Sequence, residues 1–490
     1  MSMLLLMDDD GPSLPAPTRF VSSSATNGYA AGADSGLGNS RSSPWATIEY
    51  AIANAVDGDV IWINAGTYTA TTFFTIGKSL TFVSDGRRMV TLKAASGQPR
   101  LFNYTAATDK SFKCYGIIMD GASDTPIFVR VGSSALTSAL SLEFNDCEIK
   151  DFTTQYITTN SHKNVSLSIL SCTMSGTMSG NIGITVPAHE AGSIIISGLS
   201  LSVTMSSAST KEFIKVVSVT GATQTAIKRI NGSITASSGN GGLTGARCIN
   251  HDNVVIENNT LSVTSSQAGA VFSVLCDSGS LSANNAVVQN NIVSANLGGG
   301  YGIIVGQDGP SAGDNRQNNA TIYGNRVTAN PLAALPIHGV MIGYGTGGNC
   351  SVNTIDGAAL ATIAKQQTGG EFRGNVITNA VSESIRSKGS NGTKWIGNIV
   401  TIGTAYPGDG CNINENGSTN STGIEITGNT FIVDAAPSEI VEVTAGSDAA
   451  FTGNQYTINA ALGADAWKYQ GTGYDTLAEW KAAVEPTALP

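Results

Sequence analysis

The chain has 490 residues, of which 13% are charged, 41% hydrophobic and 7% aromatic, with 57 glycines and a formal net charge of −10. So little charge beside so much apolar content excludes a disordered chain. The acidic balance, without clustered Lys and Arg, excludes a general nucleic-acid binder. Seven Cys, an odd number without CxxC pairs, exclude a disulfide framework and a zinc site and read as free, buried thiols.

At the start, Met3 to Met7 is apolar but short, has no basic residue before it and runs into Asp8, Asp9 and Asp10, unlike a secretory signal. No run approaches the roughly 18 apolar residues of a membrane span. The expectation is a protein made and folded in a cytoplasm. Residues 8 to 43, with Pro12, Pro15 and Pro17, read as loop. Ser43 reads as an N-cap with Pro44 at the first helical position; Trp45, Ile48, Ile52 and Ala55 then share one face of a helix ending near Asp57 and Gly58. Val60 to Ile63 is a short strand, and Ala65-Gly66-Thr67-Tyr68 turns the chain into another. A helix here covers the open end of a sheet stack.

Beyond this point the chain repeats itself. Val255-Ile256-Glu257-Asn258-Asn259-Thr260-Leu261 matches Val287 to Val293 and Thr321 to Val327, and later copies place Gly-Asn at 374–375, 397–398, 428–429 and 453–454. The corner asparagines are spaced 291−259 = 32, 325−291 = 34, 375−325 = 50, 398−375 = 23, 429−398 = 31 and 454−429 = 25. The shortest spacings are one coil, longer ones a coil with an inserted loop, and the 50 a pair of coils. A bend tolerant of left-handed backbone explains Gly and Asn. Stacked Asn amides can then bond from coil to coil at the ~4.8 Å strand spacing. Cys147 and Cys172 occupy the corner in earlier copies, which sets one thiol above the other. Glu371, Lys394 and Glu425, each four residues before a corner, predict an ion-pair ladder.

Near the end, Thr476 and Glu479 form a T-x-x-E capping box that starts a short helix. The expected fold is therefore all-β, a right-handed parallel β-helix (solenoid) with an N-terminal capping helix and a short C-terminal helix. Its organisation reads as residues 1–43 leader and loop, 44–460 β-helix and 461–490 C-terminal cap.

Gly32-Ala33-Asp34-Ser35-Gly36, Pro44-Trp45-Ala46-Thr47-Ile48, Gly58-Asp59-Val60-Ile61 and Gly66-Thr67-Tyr68 together resemble the entry segment of the pectate-lyase-like β-helix superfamily, and the coil motifs extend the likeness over most of residues 45 to 460. The resemblance implies a carbohydrate context shared by lyases, hydrolases, epimerases and bacteriophage tailspikes. Met1 to Met7 resembles the apolar leaders of some phage structural proteins, implying docking to virion tail or capsid proteins through residues 1–16.

Glu383-Ser384-Ile385-Arg386-Ser387-Lys388 with Asn391 is similar to a region of the alginate and chondroitin lyases on this fold. The resemblance makes Lys388 a catalytic base and Glu383 a Ca2+ ligand; base chemistry needs a lowered Lys pKa, and Arg386 is the nearby cation that would supply it. The Arg-His-Gly expected next is absent; Tyr406-Pro407-Gly408-Asp409-Gly410 stands there. By strand alternation Arg386 and Lys388 share a face, so a solvated basic patch is the alternative. A second carboxylate group is Glu143, Asp146, Glu148 and Asp151, of the residue type glycoside hydrolysis uses but set along an outer face. Asp120 reads as a turn residue, and the four His, at 162, 189, 251 and 338, lack metal-ligand spacing. No metal site is read from the sequence itself.

These readings converge on a phage-type tail fibre or tailspike protein, a homotrimer in the virion, that binds and depolymerises a bacterial surface polysaccharide. The alternatives are a free extracellular polysaccharide lyase or glycoside hydrolase, and a non-catalytic structural or decoration protein.

Overall fold

The computed structural model describes residues 14–489 apart from 106–107, 133–137, 161, 163, 219–223, 238–240, 276–282, 307–316, 332, 334 and 415–418. The apolar leader and Cys276 lie outside the described residues. Three parallel sheets run the length of a right-handed solenoid. Sheet A has sixteen strands and sheet B fifteen. Sheet C closes each coil, as in Ile399–Ile402 of sheet B, Asp409–Asn414 of sheet C and Ile424–Thr427 of sheet A. Side chains inside the three sheets form one continuous core from Val21 to Ala488. The fold expected from the repeats is the fold observed. Among the described residues no helix is long and apolar enough to cross a membrane.

The corner between sheets A and B explains the repeat. Its first residue is left-handed: Asn258, Asn290, Gly324, Val352, Gly374, Gly397, Gly428 and Gly453 all have φ between 53° and 63°. The residue after it turns inward. From Asn259 onward that inward residue is Asn291, Asn325, Asn353, Asn375, Asn398, Asn429 and Asn454, all buried. Each amide Nδ2 donates to the Oδ1 of the next Asn at 2.8–2.9 Å. It also donates to a carbonyl of the preceding coil at 2.8–3.1 Å. Asn454 ends the series by donating to Glu485 Oε1 at 2.8 Å. Glu485 is fully buried and takes Tyr456 Oη–H at 3.0 Å and Trp480 Nε1–H at 3.1 Å on its other oxygen. Every amide of the ladder is thereby satisfied, as a dry interior requires.

Asn353 is the coil hidden in the interval of 50, which is indeed two coils, since 353−325 = 28 and 375−353 = 22. Upstream, the inward corner positions are Cys147, Cys172, Leu199 and Ile230. Cys147 and Cys172 are stacked as expected, the Cys147 backbone N–H donating to Cys172 Sγ at 3.4 Å. All six described cysteines are free and buried.

Three local expectations are corrected. The segment read as loop contains a strand, Arg19–Val21, which pairs with Asp59–Ile63 and opens sheet A. The first helix is Ile48–Asn54 with Thr47, not Ser43, as N-cap. Trp45 is held in the sheet by a bridge to Val21, and Asp34 accepts the N–H groups of Ala46 (2.9 Å) and Thr47 (3.1 Å) and the Thr47 hydroxyl (2.8 Å). Helix geometry therefore starts only after Thr47, whose hydroxyl accepts Tyr50 N–H at 3.2 Å. In the charge ladder, Lys394 pairs with Glu425 at 2.9 Å, but Glu371 pairs with Arg373 on its own strand. The C-terminal helix, Leu477–Ala483, has the expected capping box and buries Trp480 against Phe451.

Candidate functional site

Sheet C positions its outward side chains in an unusual way. In Arg100–Tyr104 and Ile127–Val131 two successive central residues are buried, so the first and fourth residues face out. The same spacing recurs at Glu383 and Arg386, Asp409 and Asn412, and Glu439 and Glu442. Register places these directly over one another: Glu383 faces Asp409, Arg386 faces Asn412, Asn412 faces Glu442, and Glu442 faces Lys468. Adjacent coils thus bring four carboxylates, two cations and an amide together at the strand spacing of ~4.8 Å.

Contacts within the cluster are partial. Glu383 Oε2 and Arg386 Nε are 3.3 Å apart, close enough to attract but misaligned for a hydrogen bond, and neither atom has another partner. Asp409 Oδ1 accepts the Glu439 backbone N–H at 2.9 Å. Asn412 donates to Glu442 Oε2 at 2.8 Å while its own Oδ1 is unused. Lys468 Nζ binds Glu439 Oε1 at 2.5 Å.

Burial dominates the electrostatics. Glu383 is 8% exposed. One coil away stand Leu360, its register partner, and Ile363, the partner of Arg386, both part of a small apolar cluster with Ala270, Ile304 and Met341. This desolvation pushes the Glu383 carboxyl up to about 7; Arg386 and Lys388 oppose it, Asp409 and Glu442 reinforce it. Asp409 is likewise pushed up to about 6 by burial and by Glu439 and Glu442, against the Glu439 N–H and Lys468. Two neighbouring carboxyl groups therefore exchange protons near neutrality. Beside the start of the Glu383 strand lies a cavity of about 270 Å³ lined by Pro331, Leu335, Pro336, Val381 and Ser382 among others.

Lys388 sits on the same outer face as Arg386, while Ile385 and Ser387 on either side of Arg386 are directed inward, as alternation requires. Its register partners are Lys365 and Asn414. Among the described residues no group of three or more His, Cys, Asp or Glu is arranged to hold a metal ion. The sequence reading found Glu383, Arg386 and Lys388 but treated Asp409 only as a departure from a family pattern, and missed Asn412, Glu439, Glu442 and Lys468. The readable signal was the acid-x-x-polar unit at 383–386, 409–412 and 439–442.

The other carboxylates are dispersed. Glu143 accepts Tyr115 Oη–H at 2.8 Å and pairs with Lys113 at 3.1 Å. Asp146 is a left-handed corner residue held by Arg87 and Arg88, and Glu148 pairs with Lys150. They are surface pairs, as expected. Asp120 accepts the Ala122 N–H at 2.7 Å in a turn, also as expected.

No protein-family model matches the chain, and no curated protein matches it. Among solved structures, tailspike protein 3 of bacteriophage CBA120 is 12% identical with a TM-score of 0.36, over 84% of this chain and 58% of that one. The alginate lyase of Paenibacillus sp. FPU-7 is 15% identical with a TM-score of 0.24, over 85% and 95%. The A-module of the Azotobacter vinelandii mannuronan C-5 epimerase AlgE6 is 12% identical with a TM-score of 0.30, over 90% and 92%. The chain thus spans less than two thirds of that tailspike.

Proposed function

We propose that the chain binds an extended polysaccharide along the outer face of sheet C and cleaves it by glycoside hydrolysis between Glu383 and Asp409. The observation that carries this reading is the register that places the buried Glu383 carboxyl and the half-buried Asp409 carboxyl one coil apart beside a ring-sized cavity. Glu383, the more strongly buried, keeps its proton to higher pH and serves as general acid toward the glycosidic oxygen. Asp409 ionises first and serves as nucleophile, because a spacing near one strand separation suits a retaining displacement, which uses carboxylates about 5 Å apart, better than an inverting one. Arg386 and Asn412 orient the sugar, and Lys388 contacts it at the edge of the face.

The test is release of reducing ends from bacterial capsule and lipopolysaccharide preparations. Glu383→Gln and Asp409→Asn should each lower turnover by at least about a hundredfold, with activity peaking near pH 6–7 in the wild type. Retained turnover in both variants would reject the assignment. Unsaturated products lost with Lys388→Ala would instead favour a lyase in which Lys388 is the base and calcium binds near Glu383. The setting proposed for the activity is a homotrimeric tail fibre or tailspike in a virion. Its support is the resemblance of the entry segment and of the apolar leader. Deleting residues 1–16 should block incorporation into particles, and mass measurement in solution should give a trimer.

A further inference from the structure

We propose that sheet C carries a second, non-catalytic binding site at its other end, where Arg100 and Arg130 beside Phe73 take the oxyanion of an acidic sugar unit, a carboxylate or a sulfate. It lies ten strand pairings from Glu383, or roughly 50 Å at the usual strand spacing. The sugar part of the ligand rests on the glycan reading above; the anion preference does not.

Arg100 and Arg130 occupy the first and fourth outward positions of adjacent strands, and Asn103, the register partner of Arg130, accepts Arg100 Nη1–H at 2.8 Å. That bond fixes the guanidinium plane. Arg100 Nε is buried and has no hydrogen-bond partner, and its Cζ lies 5.0 Å from the Phe73 ring centroid. Burial holds Arg100 below the usual guanidinium range and Arg130 pushes the same way; no carboxylate acts on it. Arg130 has no ion-pair partner among the described residues. Elsewhere along this face Lys215 and Arg247 pair with Glu212, and Arg386 lies beside Glu383.

Two like charges one coil apart, one of them with a buried unused donor, form a fork that an oxyanion would complete. The space for the rest of a sugar is a cleft of about 500 Å³ lined by Phe73, Phe74 and Thr75, the last the register partner of Asn103. The charged residues of that cleft are occupied: Lys78 donates to the carbonyls ending the first helix, and Glu49 accepts from Thr71.

Calorimetric titration of the full chain with galacturonate oligomers, sulfated dextran oligomers and neutral dextran oligomers tests the site. At least one anionic series should bind at least about tenfold more tightly than the neutral one, and the affinity should fall as salt rises. Arg130→Gln should weaken it about tenfold or more, as should Arg100→Gln. The series that binds identifies carboxylate or sulfate. Arg130→Gln decides alone if Arg100→Gln melts early. Equal affinity for neutral and anionic oligomers, no anion binding by the wild type, or anion binding unchanged in Arg130→Gln would overturn the proposal. Anion binding by a chain that releases no reducing ends from the capsule and lipopolysaccharide preparations would reject the hydrolase assignment and leave this site standing.

Discussion

The two halves of this solenoid share one backbone path and are held together differently. In the N-terminal half, aromatic rings stack from coil to coil: Phe74, Phe102, Phe128, Phe152, Tyr156 and Phe213 follow one another with ring centroids 5.3–6.4 Å apart. Phe112 and Phe144 join from the side, and the inward corner residues are thiols or aliphatics. In the C-terminal half aromatic contacts come in short groups, Phe372 with Trp395 and Phe431 with Tyr456 and Trp467, and the corner is the amide ladder from Asn259 to Glu485. Non-directional burial tolerates substitutions of similar volume, whereas a hydrogen-bonded column tolerates none at its own positions. The catalytic candidates lie on the half with the directional column. A site that needs two carboxylates in register gains from a corner that cannot slip.

The comparison can be broken from either side. Phe128→Ala removes a ring touching Phe102, Phe144 and Phe152 and should cost about 3–5 kcal/mol. Because each coil contacts only its neighbours, hydrogen exchange should show loss of protection confined to the N-terminal half. Asn375→Ala leaves the Asn353 backbone N–H without its acceptor and removes one bond each from Asn353 Nδ2, which keeps the Ile322 carbonyl, and from Asn398 Oδ1, which keeps the residue-375 N–H. We expect a loss of about 3 kcal/mol, with exchange opening around residues 353–398. Equal opening of both halves in either variant would show that the two act as one cooperative unit.

A smaller effect comes from pH. The folded-state values of Glu383 and Asp409 lie above their ordinary ones, so their neutral forms favour the folded state: the contribution is full below about pH 4 and is lost as pH rises through about 6 and 7. Protection in the C-terminal half should fall by about 1–3 kcal/mol over that interval, and Glu383→Gln should flatten the dependence. A steady or rising stability would contradict the buried-acid geometry. The smallest change is a gain. Val352 is a β-branched residue at φ 57°, 53% exposed, and Val352→Gly should raise stability by up to about 1 kcal/mol, seen as a slightly higher Tm.

The corners were legible because their chemistry is local: one residue must be left-handed and the next must fill a ladder. Asn353 escaped direct recognition since Val352 stands where Gly or Asn is expected, yet the interval of 50 still implied its coil. The site was only partly legible. Glu383, Arg386 and Lys388 are neighbours on one strand, but Asp409, Glu442 and Lys468 reach them through stacking, across connections of unequal length. The first helix was placed too early for a similar reason, since Asp34, far back in sequence, holds the backbone of Ala46 and Thr47 extended.

The amide column also makes coil number a free variable. Every interior Asn gives and receives the same bonds, so a whole turn bearing its own corner Asn can be spliced in or deleted between Asn259 and Asn454 without altering either neighbour's chemistry. Only the final acceptor, Glu485, is unique. The protein behaves as a ruler whose graduations are interchangeable and whose end stop is a single carboxyl group, so its reach can be lengthened by duplication while both termini stay unchanged.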